Sequence, residues 1–106
     1  LEYRKIDTQK TIAIDFDDTY TADPELFNLF IATAASRGHR VIICTCRQDT
    51  EPNREAIDGF LEAAKAPEIP VFYTDLAPKE HFLRQRRGIE VDIWIDDVPD
   101  CVQNGR

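Results

Sequence analysis

The sequence predicts an α/β fold, a three-layer α/β/α domain on a Rossmann-like, doubly wound parallel sheet. Three observations lead there. Four short runs rich in β-branched and aromatic residues recur along the chain. Longer amphipathic segments with helical spacing alternate with them, the pattern of repeated strand and helix units. The short runs are continuously apolar, which suits strands covered on both faces.

Taken in order, the first strand is expected from Thr11 to Phe16. The first helix follows, with Leu26, Phe27, Phe30, Ile31 and Ala34 as its apolar stripe. Asp23 is its candidate N-cap, Pro24 its first residue, and Gly38 its stop after Arg37. Arg40 to Thr45 forms the second strand, and Ala56, Ile57, Phe60, Leu61 and Ala64 repeat the helical spacing. Ile69 to Thr74 is the third strand. A shorter third helix starts near Pro78, turns Phe82 and Leu83 inward and ends at Gly88. Val91 to Ile95 is the fourth strand, and the first ten residues are assigned to neither class. Right-handed crossovers in the order 3-2-1-4 make strands one and four neighbours, with the topological switch at the C-terminal end of the first.

The 106 residues, 42% hydrophobic and 31% charged, suffice for one core, so residues 1–106 are read as one domain. With 13 basic and 20 acidic residues the net charge is −7, which argues against a surface that tracks nucleic-acid phosphates. No apolar run approaches the roughly 20 residues that span a bilayer, and no basic start precedes a short apolar stretch. A cytoplasmic setting without membrane contact is expected, with the three cysteines as reduced thiols. The absence of Met leads to the expectation that Leu1 is not the natural start.

The chemistry-bearing residues lie at the two strand ends that the topology joins. The first strand runs into Asp15-Phe16-Asp17-Asp18-Thr19, and the fourth ends in Asp96-Asp97. Adjacent strands are roughly 4.8 Å apart, so these carboxylates converge. Two unit negative charges about 4 Å apart repel by about 4 kcal/mol at an effective dielectric near 20, so the cluster needs a cation or shared protons. An all-oxygen set selects a hard divalent ion, and Mg²⁺ fits best. Taken singly, each Asp has a plainer use as a strand-end cap or turn residue; two pairs at matching ends favour the metal.

These residues carry a resemblance. The Asp15 to Thr19 string after an apolar strand resembles the D-x-D-x-[TV] nucleophile motif of the haloacid dehalogenase-like phosphohydrolases. Thr45 is similar to the family's second motif, Lys79 to its third, and Ile93-Trp94-Ile95-Asp96-Asp97 to its fourth. The intervals of 30, 34 and 17 residues follow the family's order, from about Thr11 to Asp100. The resemblance implies a Mg²⁺-dependent phosphomonoester phosphatase. In it Asp15 is the nucleophile, ionised at neutral pH and able to form an acyl phosphate. Asp17 protonates the leaving oxygen and later takes a proton from water. Thr45 donates to a phosphoryl oxygen, and Lys79 supplies positive charge. The implied metal set is Asp15, Asp96, Asp97 and the Asp17 backbone carbonyl. Arg47 is a candidate for a substrate phosphate, with a solvated loop position as its plainer reading. Thr45 and Lys79 likewise have ordinary readings, as a strand residue and a surface lysine.

Other residues point elsewhere. Cys44 and Cys46 share a strand face without a further Cys or His pair, and read as core or rim packing. His39, His81 and the Arg84, Arg86, Arg87 patch read as surface. Asp100 fits a post-proline turn, and no Gly-rich phosphate loop is present. Six residues from Thr19 to Glu25 and seventeen from Lys79 to Asp96 leave no room for a cap domain, so the resemblance implies a capless member. Its site would be open or covered by another subunit of a homo-oligomer. The chain runs only ten residues past Asp96, where relatives commonly add a fifth strand, so a minimal sheet is expected. The expected partner is a phosphorylated small molecule or an exposed macromolecular phosphate. A dehalogenase has no use for Asp17, because a halide leaves unprotonated. The alternatives are a receiver-like phosphoacceptor domain, which puts its Asp, Thr and Lys in a different strand order, and a noncatalytic phosphate-binding or assembly module.

Overall fold

A computed structural model of the chain describes residues 8–103. The first seven of the ten residues left unassigned by the sequence lie outside the described residues. Four strands, β1 (Thr11–Ile14), β2 (Arg40–Thr45), β3 (Val71–Tyr73) and β4 (Ile93–Ile95), form one sheet. Its order is β3-β2-β1-β4, and every pairing is parallel. Four helices, α1 (Pro24–Ser36), α2 (Glu51–Ala63), α3 (Lys79–Arg87) and α4 (Asp100–Gln103), accompany it. This is an α/β architecture compatible with a Rossmann-like fold.

The helices begin and end for local reasons. Asp23 accepts from the Leu26 N–H at 3.1 Å, with Pro24 behind it, so α1 starts where a free N–H is satisfied and φ is preset. Thr50 does the same for α2 through the Asn53 N–H. Gly88, at φ 65°, ends α3 in the left-handed region that L-residues with a Cβ resist, and the Ile89 N–H returns to the Leu83 carbonyl.

Alternate residues of the central strands serve two separate cores. Ile12, Ile14, Val41 and Ile43 pack with Ile31 and Ala34 of α1 and Ile57 of α2. Ala13, Ile42 and Cys44 pack instead with Leu83 of α3 and with Ile89. The two central strands are almost wholly buried, as continuous apolar runs require. The outer strands differ from the expectation of full cover: β3 is half-buried throughout and Ile93 of β4 is 45% exposed, because each has a neighbour on one side only. Leu26 also faces outward, 55% exposed, since at 100° per residue it falls at the margin of the stripe centred on Phe27 and Ala34.

Candidate active site

The register of β1 and β4 builds the site. Ile14 pairs with Ile95, and the Asp15 N–H donates to the Ile95 carbonyl at 2.9 Å, so pairing continues one residue past the strand. Asp15 and Asp96, the next residue on each strand, are thereby adjacent. Carboxylate oxygens of Asp15, Asp96 and Asp97 all lie within 4.8 Å of one another.

The chain then turns sharply. Asp18 takes φ 62°, a conformation Asp tolerates better than most residues, and its N–H donates to Thr21 Oγ1. The Tyr20 N–H returns to the Asp15 carbonyl. This turn brings Thr19 back beneath the carboxylates. Its hydroxyl lies 3.3 Å from Asp15 Oδ2 and 3.1 Å from Asp97 Oδ1, and it accepts from the Asp97 N–H at 3.2 Å. The Val98 N–H donates to Asp96 Oδ1 at 2.9 Å, which fixes the second carboxylate.

Lys79 reaches the cluster from the other side. The loop before α3 carries two consecutive left-handed residues, Asp75 at φ 54° and Leu76 at φ 65°. Their N–H groups bind the Arg47 and Cys46 carbonyls beyond β2, which offsets the strain and aims α3 at the end of β1. Lys79 Nζ donates to Asp15 Oδ1 at 2.7 Å and to Asp96 Oδ2 at 2.5 Å, with only 1% of its side chain exposed. Burial alone would pull the Lys79 amine down, but its hydrogen bonds to Asp15 and Asp96 outweigh that and hold it above the usual lysine value. Burial pushes Asp15 up to about 6, against the opposing pull of Lys79. Asp97 is held below the ordinary carboxylate value because Asp15 beside it takes a shared proton first, and because the Thr19 hydroxyl faces it.

Asp15, Asp17, Asp18, Lys79, Asp96 and Asp97 line a cavity of about 160 Å³ with Cys46, Val98 and Cys101. Asp17 is outside the carboxylate trio, its side chain 46% exposed, and is bound by Arg47 through two hydrogen bonds of 2.7 and 2.9 Å. Thr45 is buried at the end of β2, and its hydroxyl accepts from the Arg47 N–H at 3.3 Å. Neither Thr45 nor Arg47 is among the residues lining the cavity. The structure thus brings Lys79 into direct contact with Asp15 and Asp96, sets Asp97 within reach of both and Asp17 at the rim, and leaves Thr45 and Arg47 outside the lining. Thr19 is the residue to which the sequence reading gave no role of its own, although it closes the Asp15 to Thr19 string.

The donor set suits a hard cation: three carboxylates within reach of one another, on a cavity wall, with no sulfur or nitrogen among the converging ligand atoms. With a single buried amine facing two of the carboxylates, a divalent ion would neutralise what Lys79 does not. Comparison with protein-family models, with curated proteins and with solved structures yields no match. No helix among the described residues is long and apolar enough to cross a membrane.

Proposed function

We propose that this chain is a capless, three-layer α/β/α phosphohydrolase of the haloacid dehalogenase-like type, working in the cytoplasm on a phosphomonoester through an aspartyl phosphate on Asp15. The observation that carries the reading is Lys79, buried and bonded to both Asp15 and Asp96 beside the Asp97 carboxylate. A buried ammonium shared by two carboxylates is expensive as mere structure, yet fits a site that must hold a transferring phosphoryl group.

In this reading an Asp15 oxygen attacks phosphorus, the bond to the leaving oxygen breaks, and Asp17 supplies that oxygen with a proton. Water then attacks the acyl phosphate while Asp17 takes its proton, the bond to Asp15 breaks, and inorganic phosphate departs. Lys79 keeps Asp15 anionic against the cost of its burial and balances charge on the phosphoryl oxygens. Thr19 and the Val98 N–H keep the acidic side chains in place. Asp15, Asp96, Asp97 and the Asp17 carbonyl would hold Mg²⁺, which supplies Lewis-acid stabilisation of the phosphoryl oxygens when bound.

The reading is tested by a screen of sugar phosphates, nucleotides, phosphopeptides and 3′-phosphorylated oligonucleotides, with and without Mg²⁺. Mg²⁺-dependent phosphate release that disappears in Asp15→Asn is expected. Labelling of Asp75 by a small phosphodonor would instead favour a receiver-like domain, and phosphate binding without release a noncatalytic module.

A further inference from the structure

We infer that Arg47 is a positioning residue that acts through Asp17, holding the proposed acid–base carboxylate at the cavity rim. The inference rests on the phosphohydrolase reading. Nε and Nη2 of Arg47 donate to Asp17 Oδ2 and Oδ1 at 2.9 and 2.7 Å, a two-point fork that fixes the plane of the carboxylate as well as its place. Asp17 has 46% of its side chain exposed, and a carboxylate that open would otherwise sample several rotamers. A proton-transfer group must meet its target within hydrogen-bond reach, so the fixed orientation is what the chemistry requires. Each Asp17 oxygen that accepts from Arg47 keeps a second lone pair for the transferred proton.

Arg47 is held in its turn. Nη1 donates to Asn53 Oδ1 at 3.4 Å, and the guanidinium lies 5.6 Å from the centroid of the Phe16 ring, which is buried in the core. Asn53 is oriented by Nδ2, which donates to the Gln48 carbonyl at 2.9 Å, so its oxygen faces Arg47. The first turn of α2 thus supports Arg47, and Arg47 supports Asp17. With its fork engaged and its side chain off the cavity wall, Arg47 is placed to orient Asp17 rather than to grip phosphate.

A double-mutant cycle tests this, with phenyl phosphate and p-nitrophenyl phosphate as probes in saturating Mg²⁺. Arg47→Lys keeps the charge but not the fork. It should lower the single-turnover rate of phenol release by about tenfold, with a smaller loss for p-nitrophenol, whose leaving oxygen needs a proton less; this step excludes the hydrolysis that Asp17 also serves. KM should stay within about threefold of the wild-type value. In an Asp17→Asn background the same substitution should do nothing more. Arg47→Gln, nearer in shape to a neutral spacer, should repeat the pattern if Arg47→Lys folds poorly. A loss expressed in KM, an equal loss on both probes, or losses that multiply in the double variant would overturn the inference alone. No turnover by the wild-type chain on any phosphomonoester of the screen would overturn the phosphohydrolase reading and the inference with it.

Discussion

Lys79 Nζ and Asp15 Oδ1 are 2.7 Å apart, 64 residues distant in sequence, with 1% and 8% of their side chains exposed. Removing one partner of such a pair leaves the other buried without compensation. Lys79→Met should therefore destabilise the metal-free protein by about 3–5 kcal/mol in a urea titration, because two carboxylates lose their common cation. Added Mg²⁺ should recover part of the loss, since it can replace the missing charge. A variant as stable as the wild type would remove the electrostatic argument for the site.

Thr19 supplies one hydroxyl to two carboxylates and accepts from a backbone N–H. Thr19→Val keeps the shape and deletes the hydroxyl. It should cost about 1–3 kcal/mol, the range for leaving one buried partner, here the Asp15 carboxylate, without its hydroxyl. Isothermal titration should also show weaker Mg²⁺ binding, because Asp15 and Asp97 are no longer tethered to a common point. Unchanged stability together with unchanged affinity would contradict that role.

Most of the architecture was legible because apolar spacing and end signals agreed. Asp23, Pro24 and Gly38 bracket α1, and Pro78 and Gly88 flank α3. The strand order was legible too, since right-handed parallel crossovers leave few arrangements. The meeting of Asp15 with Asp96 and Asp97 follows from that order. Two short pieces escaped: the 3-10 turn Tyr20–Ala22 and the four-residue α4, both too brief to carry a helical period. The bond between Arg47 and Asp17 escaped for another reason. It joins the loops that follow β1 and β2, 30 residues apart, and no periodicity encodes where loop side chains meet.

Burial pushes the Cys44 thiol up to about 12, from an ordinary value of 9.0. Between those values the unfolded chain has released a proton that the folded chain retains. This contribution to stability is fully present below pH 9 and is lost as pH rises toward 12. Tyr20, Tyr73 and Lys79 are raised as well, which acts in the same direction at higher pH. Stability should fall above pH 9 with a limiting slope of about 1.4 kcal/mol per pH unit from each fully ionised group. In Cys46→Ser, iodoacetamide at pH 8 should label Cys44 only at the rate of unfolding; fast labelling of Cys44 itself, read apart from Cys101 by peptide mass spectrometry, would contradict its burial.

Asp97 is the exposed member of the carboxylate trio. Asp97→Asn should weaken Mg²⁺ binding while leaving the fold intact, because it removes a ligand charge without emptying a packed site. Equal affinity in the variant would place the cation elsewhere.

The most direct measurement is rapid acid quench of the enzyme during turnover of p-nitrophenyl phosphate, whose leaving oxygen needs little help from a proton donor, in Mg²⁺, followed by mass spectrometry of its peptides. Asp15 should carry one phosphoryl group in the wild type, more of it should accumulate in Asp17→Asn as hydrolysis slows, and none should appear in Asp15→Asn. Turnover by Asp15→Asn, or a phosphoryl group on any other residue, would contradict the account.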